Sequence, residues 1–214
     1  LAGLLVFLLA TGVAPAQHYE AGQTVADIIT SPSDDRSYLA HRLKNGLRVL
    51  LISDPRTDKA AAALDVRVGS GSDPEERAGL AHLLEHMLFL GTERYPEAGE
   101  YQAFIQQHGG SDNAYTMPDH TNYYFDIQSQ YLRGALERFS QFFVAPLFNP
   151  KFVERERSVV HAEFSAKLQS DGRRYLAARR QAFDPRHPES SFAVGDKSTL
   201  ADREGDPVRE DLVD

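Results

Sequence analysis

The chain has 214 residues, of which 42% are hydrophobic and 25% charged, a composition typical of a globular protein with one good core. Its formal net charge is −8 and no run of Lys and Arg stands out, which argues against a nucleic-acid-binding surface. The absence of Cys excludes disulfides, thiolate nucleophiles and cysteine-ligated zinc sites.

The first apolar segment reads LAGLLVFLLATGVAPAQ and is too short to span a bilayer, which needs about 20 residues. It ends at Ala14-Pro15-Ala16, an A-x-A pattern typical of a signal-peptide cleavage site. We therefore predict a signal peptide over residues 1–16, incomplete at its start because a Met and a basic region are missing. This predicts an exported protein, periplasmic if bacterial and otherwise secreted. The alternative is an apolar core helix.

Residues 17–37 are rich in Ser, Asp and Pro and form a lead-in segment. Two apolar runs, residues 37–43 and 47–53, flank Asn45-Gly46, which predicts a β-hairpin. Alternation of apolar and charged residues over 60–68 predicts a third strand, with Val66 and Val68 on its apolar face.

After these three strands the sequence predicts helices, with two further strands between them. Asp73-Pro74-Glu75-Glu76 indicates a helix start, and the apolar helix that follows ends near Gly91. Further helices are predicted at 101–108, 131–144, 151–168, 173–183 and from Val208, and strands at 112–115 and 121–127. This order predicts an α+β fold with a mostly antiparallel sheet packed with helices, not a doubly wound one.

The apolar helix contains the stretch AHLLEHMLFLGT, residues 81–92, with three ionisable side chains. His82 and His86 are four residues apart and share one helix face, which Glu85 borders. Burying such groups costs several kcal/mol unless they find partners, and a zinc ion held by two neutral imidazoles is one. Zinc lowers the pKa of a bound water from about 15.7 toward 7, and Glu85 would act as its general base. The His-x-x-Glu-His order is an inverzincin pattern, although by itself it also fits a polar surface face.

Catalytic zinc usually has three protein ligands, and periodicity does not identify the third. The other histidines are at positions 18, 41, 108, 120, 161 and 187, and acidic residues are numerous. In the segment VERERSVVHAEF, Glu156 and Glu163 are seven residues apart on one helix face. Glu163 is therefore a candidate, with an ordinary solvated acid as the alternative.

Four sequence blocks, in order, resemble the insulinase/pitrilysin family of metallopeptidases, and in particular its pitrilysin type. They are GLAHLLEHMLFLGTERYP (79–96), HGGSDNAYTMPDHTNYYFD (108–126), FFVAPLFNPKFVERERSVVHAEF (142–164) and HPESSFAVGDKSTL (187–200). The resemblance begins near Arg42 and implies a LuxS/MPP-like metallohydrolase domain. On this basis residues 38–214 are expected to be a partial N-terminal M16-like zinc-binding domain, truncated at its C-terminal end.

The resemblance also implies residue roles where the family pattern matches this sequence. His82, His86 and Glu163 would bind one zinc ion per domain, and Glu85 would be the general base. Glu156 matches a second acid on the same helix that supports the site. Asn113 and Ala114 match the strand where family members hold an extended substrate, a mode in which the peptide adds to a sheet edge.

The function implied by the resemblance is that of a zinc metalloendopeptidase acting on peptides and small unfolded polypeptides, and the predicted signal peptide implies that it is exported. The expected partners are these substrates and a C-terminal half of the same polypeptide, which supplies an Arg and a Tyr in the family. The chain alone is therefore expected to be poorly active, and neither nucleic acid nor a stable membrane span is expected. The alternatives are a non-catalytic family subunit, against which the intact motif argues, and a partner-dependent processing peptidase. Purely structural zinc is disfavoured because structural sites usually have four protein ligands.

Overall fold

The computed structural model describes residues 5–10, 28–184 and 186–213. Its strands are β1 (Leu5–Ala10), β2 (Ser37–Arg42), β3 (Arg48–Ser53), β4 (Lys59–Val66), β5 (Ser111–Thr116) and β6 (Thr121–Gln128). Its α-helices are α1 (Leu80–Leu88), α2 (Glu100–Gln107), α3 (Leu132–Gln141), α4 (Pro150–Ala166), α5 (Asp171–Arg180) and α6 (Val208–Val213). Within these residues, none of the helices has the length and apolar character needed to cross a membrane.

The strands form one sheet in the order β2-β3-β1-β4-β6-β5. The predicted hairpin is confirmed: β2 and β3 pair antiparallel, and the turn between them contains Gly46 with a φ of 90°. β1 pairs antiparallel with β4 but parallel with β3, so the sheet is mixed at this point. The α+β architecture expected from the order of elements is therefore the observed one.

β1 lies within the predicted signal peptide, and its backbone pairs with β3 from Leu5–Arg48 to Ala10–Ser53. The other residues of the predicted signal, and residues 17–27 of the lead-in segment, lie outside the described residues. Cleavage after Ala16 would remove β1 from the sheet. The signal peptide and the export that it implies stay predictions. N-terminal sequencing of the isolated protein would show whether residues 1–16 are removed or whether β1 is retained.

The described chain divides into two compact units. The first comprises Leu1–Arg67, Tyr101–Ala114 and Asn122–Ser140, and it holds most of the sheet together with α2 and α3. The second comprises Val68–Glu100, Tyr115–Thr121 and Gln141–Asp214, and it holds α1, α4, α5 and α6.

The core of the first unit follows from the alternation along β6. Tyr123, Phe125 and Ile127 are buried, as their period of two predicts, and the Phe125 ring packs against Phe139 of α3 with centroids 5.3 Å apart. Two sequence expectations are wrong in detail. α3 ends at Gln141, not at Val144, and Val68 lies beyond β4 and is 46% exposed.

The core of the second unit centres on α1 and α4, where Leu83, Met87 and Val160 are at most 1% exposed. Arg77 is equally buried and forms ion pairs with Asp206 at 3.0 Å and Asp211 at 2.6 Å. A buried charge is tolerated only when it is paired, so Arg77 holds the chain around α6 to the segment that precedes α1.

The start of α1 differs from the prediction. Short 3-10 helices occupy Ser70–Ser72 and Glu75–Arg77, and α1 begins only after Gly79, which has a φ of 95°. Asp73 nevertheless caps the helix from a distance, because its carboxylate accepts the N–H groups of Gly79 at 2.7 Å and Ala81 at 2.9 Å. A negative charge at this end also complements the helix dipole.

Candidate metal centre

Two imidazoles of α1 and one carboxylate of α4 converge in the second unit. The Nε2 atoms of His82 and His86 are 3.3 Å apart. Glu163 oxygens lie 3.8 Å from His82 Nε2 and 3.7 Å from His86 Nε2. Zinc bonds of about 2.0–2.1 Å in a tetrahedral arrangement place ligand atoms about 3.3 Å apart. The three side chains therefore fit a zinc ion in both number and spacing.

Each imidazole is oriented through its other nitrogen. His82 Nδ1 lies 2.8 Å from the carbonyl oxygen of Val194, and His86 Nδ1 lies 3.2 Å from Glu156 Oε2. A neutral histidine that donates through Nδ1 presents a lone pair on Nε2, which is the atom each ring directs at the cluster.

The surroundings shift the pKa values of the two histidines in opposite directions. Burial lowers the pKa of His82, which keeps its ring in the neutral form that binds metals. Burial opposes charge on His86, but the hydrogen bond to Glu156 and the negative charges of Glu163, Glu156 and Glu85 together outweigh it and raise the pKa of His86. Glu156 likewise has a lowered pKa despite its burial, because His86 and Arg155 both donate to its carboxylate. Glu156 is thus a carboxylate acceptor behind one predicted ligand.

Glu85 is buried next to the cluster, at 9% exposure, and is not one of its three members. The hydroxyl of Thr116 on β5 donates to its Oε2 at 2.5 Å. With one oxygen fixed in this way, the carboxylate retains lone pairs for accepting a proton. This geometry suits a general base better than a metal ligand.

The remaining predicted site residues, Asn113 and Ala114, lie on β5 in the first unit. β5 is the terminal strand in the sheet order, so one side of its backbone lacks a neighbouring strand among the described residues. Asn113 is exposed, and its side-chain oxygen accepts the N–H of Ala114 at 2.9 Å. The substrate-binding role of this pair stays a prediction.

Sequence reasoning missed three supporting groups, namely Thr116, Val194 and Arg155. Thr116 is 31 residues from Glu85 in sequence, and no periodicity connects the two. Val194 acts through its backbone carbonyl, which no side-chain pattern reveals. Both residues do fall within blocks that carry the family resemblance. Among the described residues, the histidines other than His82 and His86 lie outside the cluster.

Comparisons with known proteins agree with this geometry. A family model described as Insulinase (Peptidase family M16) matches residues 48–184. The insulin-degrading enzyme of Homo sapiens is 49% identical over 189 residues, which are 87% of this chain and 18% of that protein. Protease 3 of Escherichia coli K12 is 41% identical over 211 residues, 98% of this chain and 22% of that protein. A crystal structure of pitrilysin matches with a TM-score of 0.85 and 41% identity, covering 90% of this chain and 21% of that one. The chain spans about a fifth of the length of these relatives.

Proposed function

Because the chain belongs to the insulinase family of peptidases, family M16, we propose that it carries the zinc centre of a metalloendopeptidase. The observation that carries the proposal is the cluster of His82, His86 and Glu163 beside the buried carboxylate of Glu85. Three protein ligands leave a coordination position open, which is typical of catalytic and not of structural zinc.

The chemistry divides between the metal and the chain. A bound zinc ion supplies Lewis-acid activation of water and of the scissile carbonyl. Glu85 accepts the proton of the attacking water at a carboxylate oxygen and returns it to the nitrogen of the leaving amine. Thr116 fixes the position of Glu85, while Glu156 and Val194 keep the two imidazoles in the ligating orientation.

The proposed substrates are peptides and small unfolded polypeptides that bind as an extra strand along β5, at Asn113 and Ala114. The terminal position of β5 in the sheet supports this, because main-chain hydrogen bonds to a sheet edge depend little on side-chain sequence. The relatives are about five times longer than this chain, which supports a complete substrate site that includes further polypeptide.

The metal assignment is tested by elemental analysis of the purified chain after dialysis. One zinc per chain is expected, and most of it should be lost in His82→Ala and in Glu163→Ala. His161→Ala is the matched control, because His161 also lies on α4 but outside the cluster. Full zinc retention in His82→Ala would contradict the assignment.

The catalytic assignment is tested in a chimera in which this chain replaces the matching part of Protease 3. Glu85→Gln keeps the size of the side chain but removes the base, so zinc content should stay near one per chain. Cleavage of a quenched fluorescent peptide should fall by about 10²- to 10⁴-fold. Unchanged cleavage by the variant would refute the role of Glu85.

A further inference from the structure

A cavity of about 140 Å³ lies in the second unit where α4, α5 and residues 192–194 meet. We call it the α5 pocket. Its apolar wall includes Phe164, Leu168, Leu176 and Phe192, and none of its lining residues is acidic. A cavity of about 150 Å³ accommodates a benzene molecule. The α5 pocket is therefore large enough for one side chain of a peptide.

The α5 pocket adjoins the metal cluster through two of its lining residues. Val194 lines the pocket, and its carbonyl oxygen is the hydrogen-bond partner of His82 Nδ1. Phe164 directly follows Glu163, and its ring packs on Phe192 with centroids 5.2 Å apart. The α5 pocket therefore lies beside residues that position the metal cluster.

The charge of the α5 pocket opposes the charge of the molecule. The chain carries a net charge of −8, yet four basic residues line the pocket, namely Lys167, Arg173, Arg174 and Arg180. Arg174 is paired with Asp171 at 3.6 Å. Within the part of the chain that the structure describes, the other three have no carboxylate at ion-pair distance. The neighbouring Arg179, which does not line the pocket, is paired with Glu189 at 2.6 Å.

Two of these basic side chains place positive charge on the same face of α5. Arg173 and Arg180 are seven residues apart and share one face of α5. Burial and the positive charges of Arg173 and Arg179 lower the pKa of Arg180, although the Glu189 carboxylate acts in the opposite direction. An anion in the pocket would therefore stabilise the charged form of Arg180. Guanidinium groups also bind carboxylates with paired, directional hydrogen bonds.

We propose that the α5 pocket binds an acidic side chain, Glu or Asp, of the peptide substrate beside the scissile bond. The carboxylate would meet Arg173 and Arg180, and the aliphatic stem would lie against Phe164 and Leu176. This inference rests on the proposed function, because a peptide ligand is expected beside the metal cluster only if that cluster is the centre of a peptidase. The pocket would select for acidic side chains, which main-chain hydrogen bonds along β5 do not do.

The test is calorimetric binding of two octapeptides to the Protease 3 chimera carrying Glu85→Gln. Both peptides are acetylated and amidated, and they differ only in having Glu or Gln beside a central Phe. The Glu peptide should bind about three- to tenfold more tightly, and 0.5 M NaCl should reduce the difference. The titrations are run with zinc and after removal of zinc with EDTA. A Glu preference that survives without zinc supports the pocket even if the peptidase assignment fails.

The variant Arg173→Gln/Arg180→Gln should lower the Glu preference to below about twofold. Arg179→Gln/Arg186→Gln is the matched control, because it removes the same charge from residues paired with Glu189 and Asp184 outside the pocket. Arg173 is exposed, so Arg173→Glu serves if the double variant unfolds, and it should favour a Lys peptide. Equal binding of the Glu and Gln peptides, binding of neither, or a preference retained without both arginines would overturn the proposal.

Discussion

At the scale of single residues, three of the four predicted catalytic and metal-binding groups are held by a second contact. His82 is oriented by a backbone carbonyl and His86 by a carboxylate, so the two imidazoles depend on different parts of the chain. Glu85 is held by the Thr116 hydroxyl. Hydrogen bonds of this kind fix the tautomer of a ligand and the position of a base, and their loss should be measurable.

Thr116→Val removes the hydroxyl and keeps the shape of the side chain. The buried Glu85 carboxylate then loses its donor, so we expect its orientation to relax and kcat to fall by about tenfold, with zinc content unchanged. The measurement is peptide cleavage by the Protease 3 chimera. Thr116→Ser restores the hydroxyl and should recover most of the rate, whereas a serine variant as slow as the valine variant would argue against this role.

Glu156→Gln tests the support behind His86. The amide accepts the Nδ1 hydrogen bond less strongly than the carboxylate, so zinc affinity should fall by about 10- to 100-fold. Zinc titration against a competing chelator measures this directly. Glu154→Gln on the exposed side of α4 is the control, since its partner is Arg157. An unchanged dissociation constant in Glu156→Gln would mean that the Glu156 carboxylate does not support metal binding.

At the scale of elements, the position of α1 depends on a close approach between two backbones. A Cβ atom added to Gly79 would lie 2.3 Å from the Cα of Gly195, next to the Val194 carbonyl that orients His82. The N-terminus of the metal-binding helix and the segment after α5 therefore contact each other with no side chain between them. A change in this contact would therefore affect both the stability of α1 and the orientation of His82 in the metal cluster.

Gly79→Ala should therefore weaken both folding and metal binding. The backbone at φ 95° disfavours a Cβ by about 1–2 kcal/mol, and the contact with Gly195 adds an overpacking cost of about 1–3 kcal/mol. Gly99→Ala is a matched control, because Gly99 has a φ of 89° but open space around it. Urea unfolding and zinc titration should show a larger loss for Gly79→Ala. Equal effects of the two variants would rule out the contact as the cause.

An ion pair between β4 and β6 contributes to the free energy of unfolding in a pH-dependent way. Lys59 and Ser111 hydrogen-bond to Asp126 and, against the effect of its partial burial, lower its pKa. A carboxyl with a lowered pKa in the folded state stabilises the fold above its unfolded pKa, about 3.9, and loses this effect as the pH falls through the folded value. Asp126→Asn should cost under about 1 kcal/mol of unfolding free energy at pH 7. The difference should shrink as the pH falls below the unfolded pKa and vanish once Asp126 is protonated in both states, and a pH-independent difference would exclude the ion pair as its source.

At the scale of the whole molecule, the metal cluster is local while the proposed substrate contacts are dispersed. His82, Glu85, His86, Glu156 and Glu163 all lie in the second unit, whereas Asn113 and Ala114 lie in the first. The relatives extend about five times further than this chain. Metal binding should therefore be a property of this chain, and substrate positioning a property of a longer polypeptide.

The chain by itself should bind zinc but cleave peptides at least about 10²- to 10³-fold more slowly than Protease 3. Loss of one group that stabilises a developing oxyanion costs about that factor, and poor orientation of the substrate adds to it. A quenched fluorescent peptide assay at equal zinc loading makes the comparison. Adding the remainder of Protease 3 as a separate polypeptide should raise the rate. Activity of the chain alone near that of Protease 3 would contradict this division.

The sequence by itself determined most of the elements and two of the three predicted metal ligands. Helical periodicity placed His82 and His86 on one face, and alternation along β6 identified its buried side, because both patterns depend only on local backbone geometry. The Asn-Gly turn determined the first hairpin for the same reason. Glu163 required the family resemblance, since spacing alone left it equivalent to any acid on α4.

Only the tertiary structure decided which groups meet across long sequence separations. The packing of α1 on α4 places Glu163 beside two histidines 77 and 81 residues earlier, and it brings Glu156 to the second nitrogen of His86. Thr116, Val194 and the α5 pocket are likewise products of packing. α1 begins at Leu80 and not near the expected Asp73. Asp73 lies outside the helix and caps it, because its carboxylate accepts the N–H groups of Gly79 and Ala81. Such contacts depend on how elements pack, and local periodicity carries no information about that.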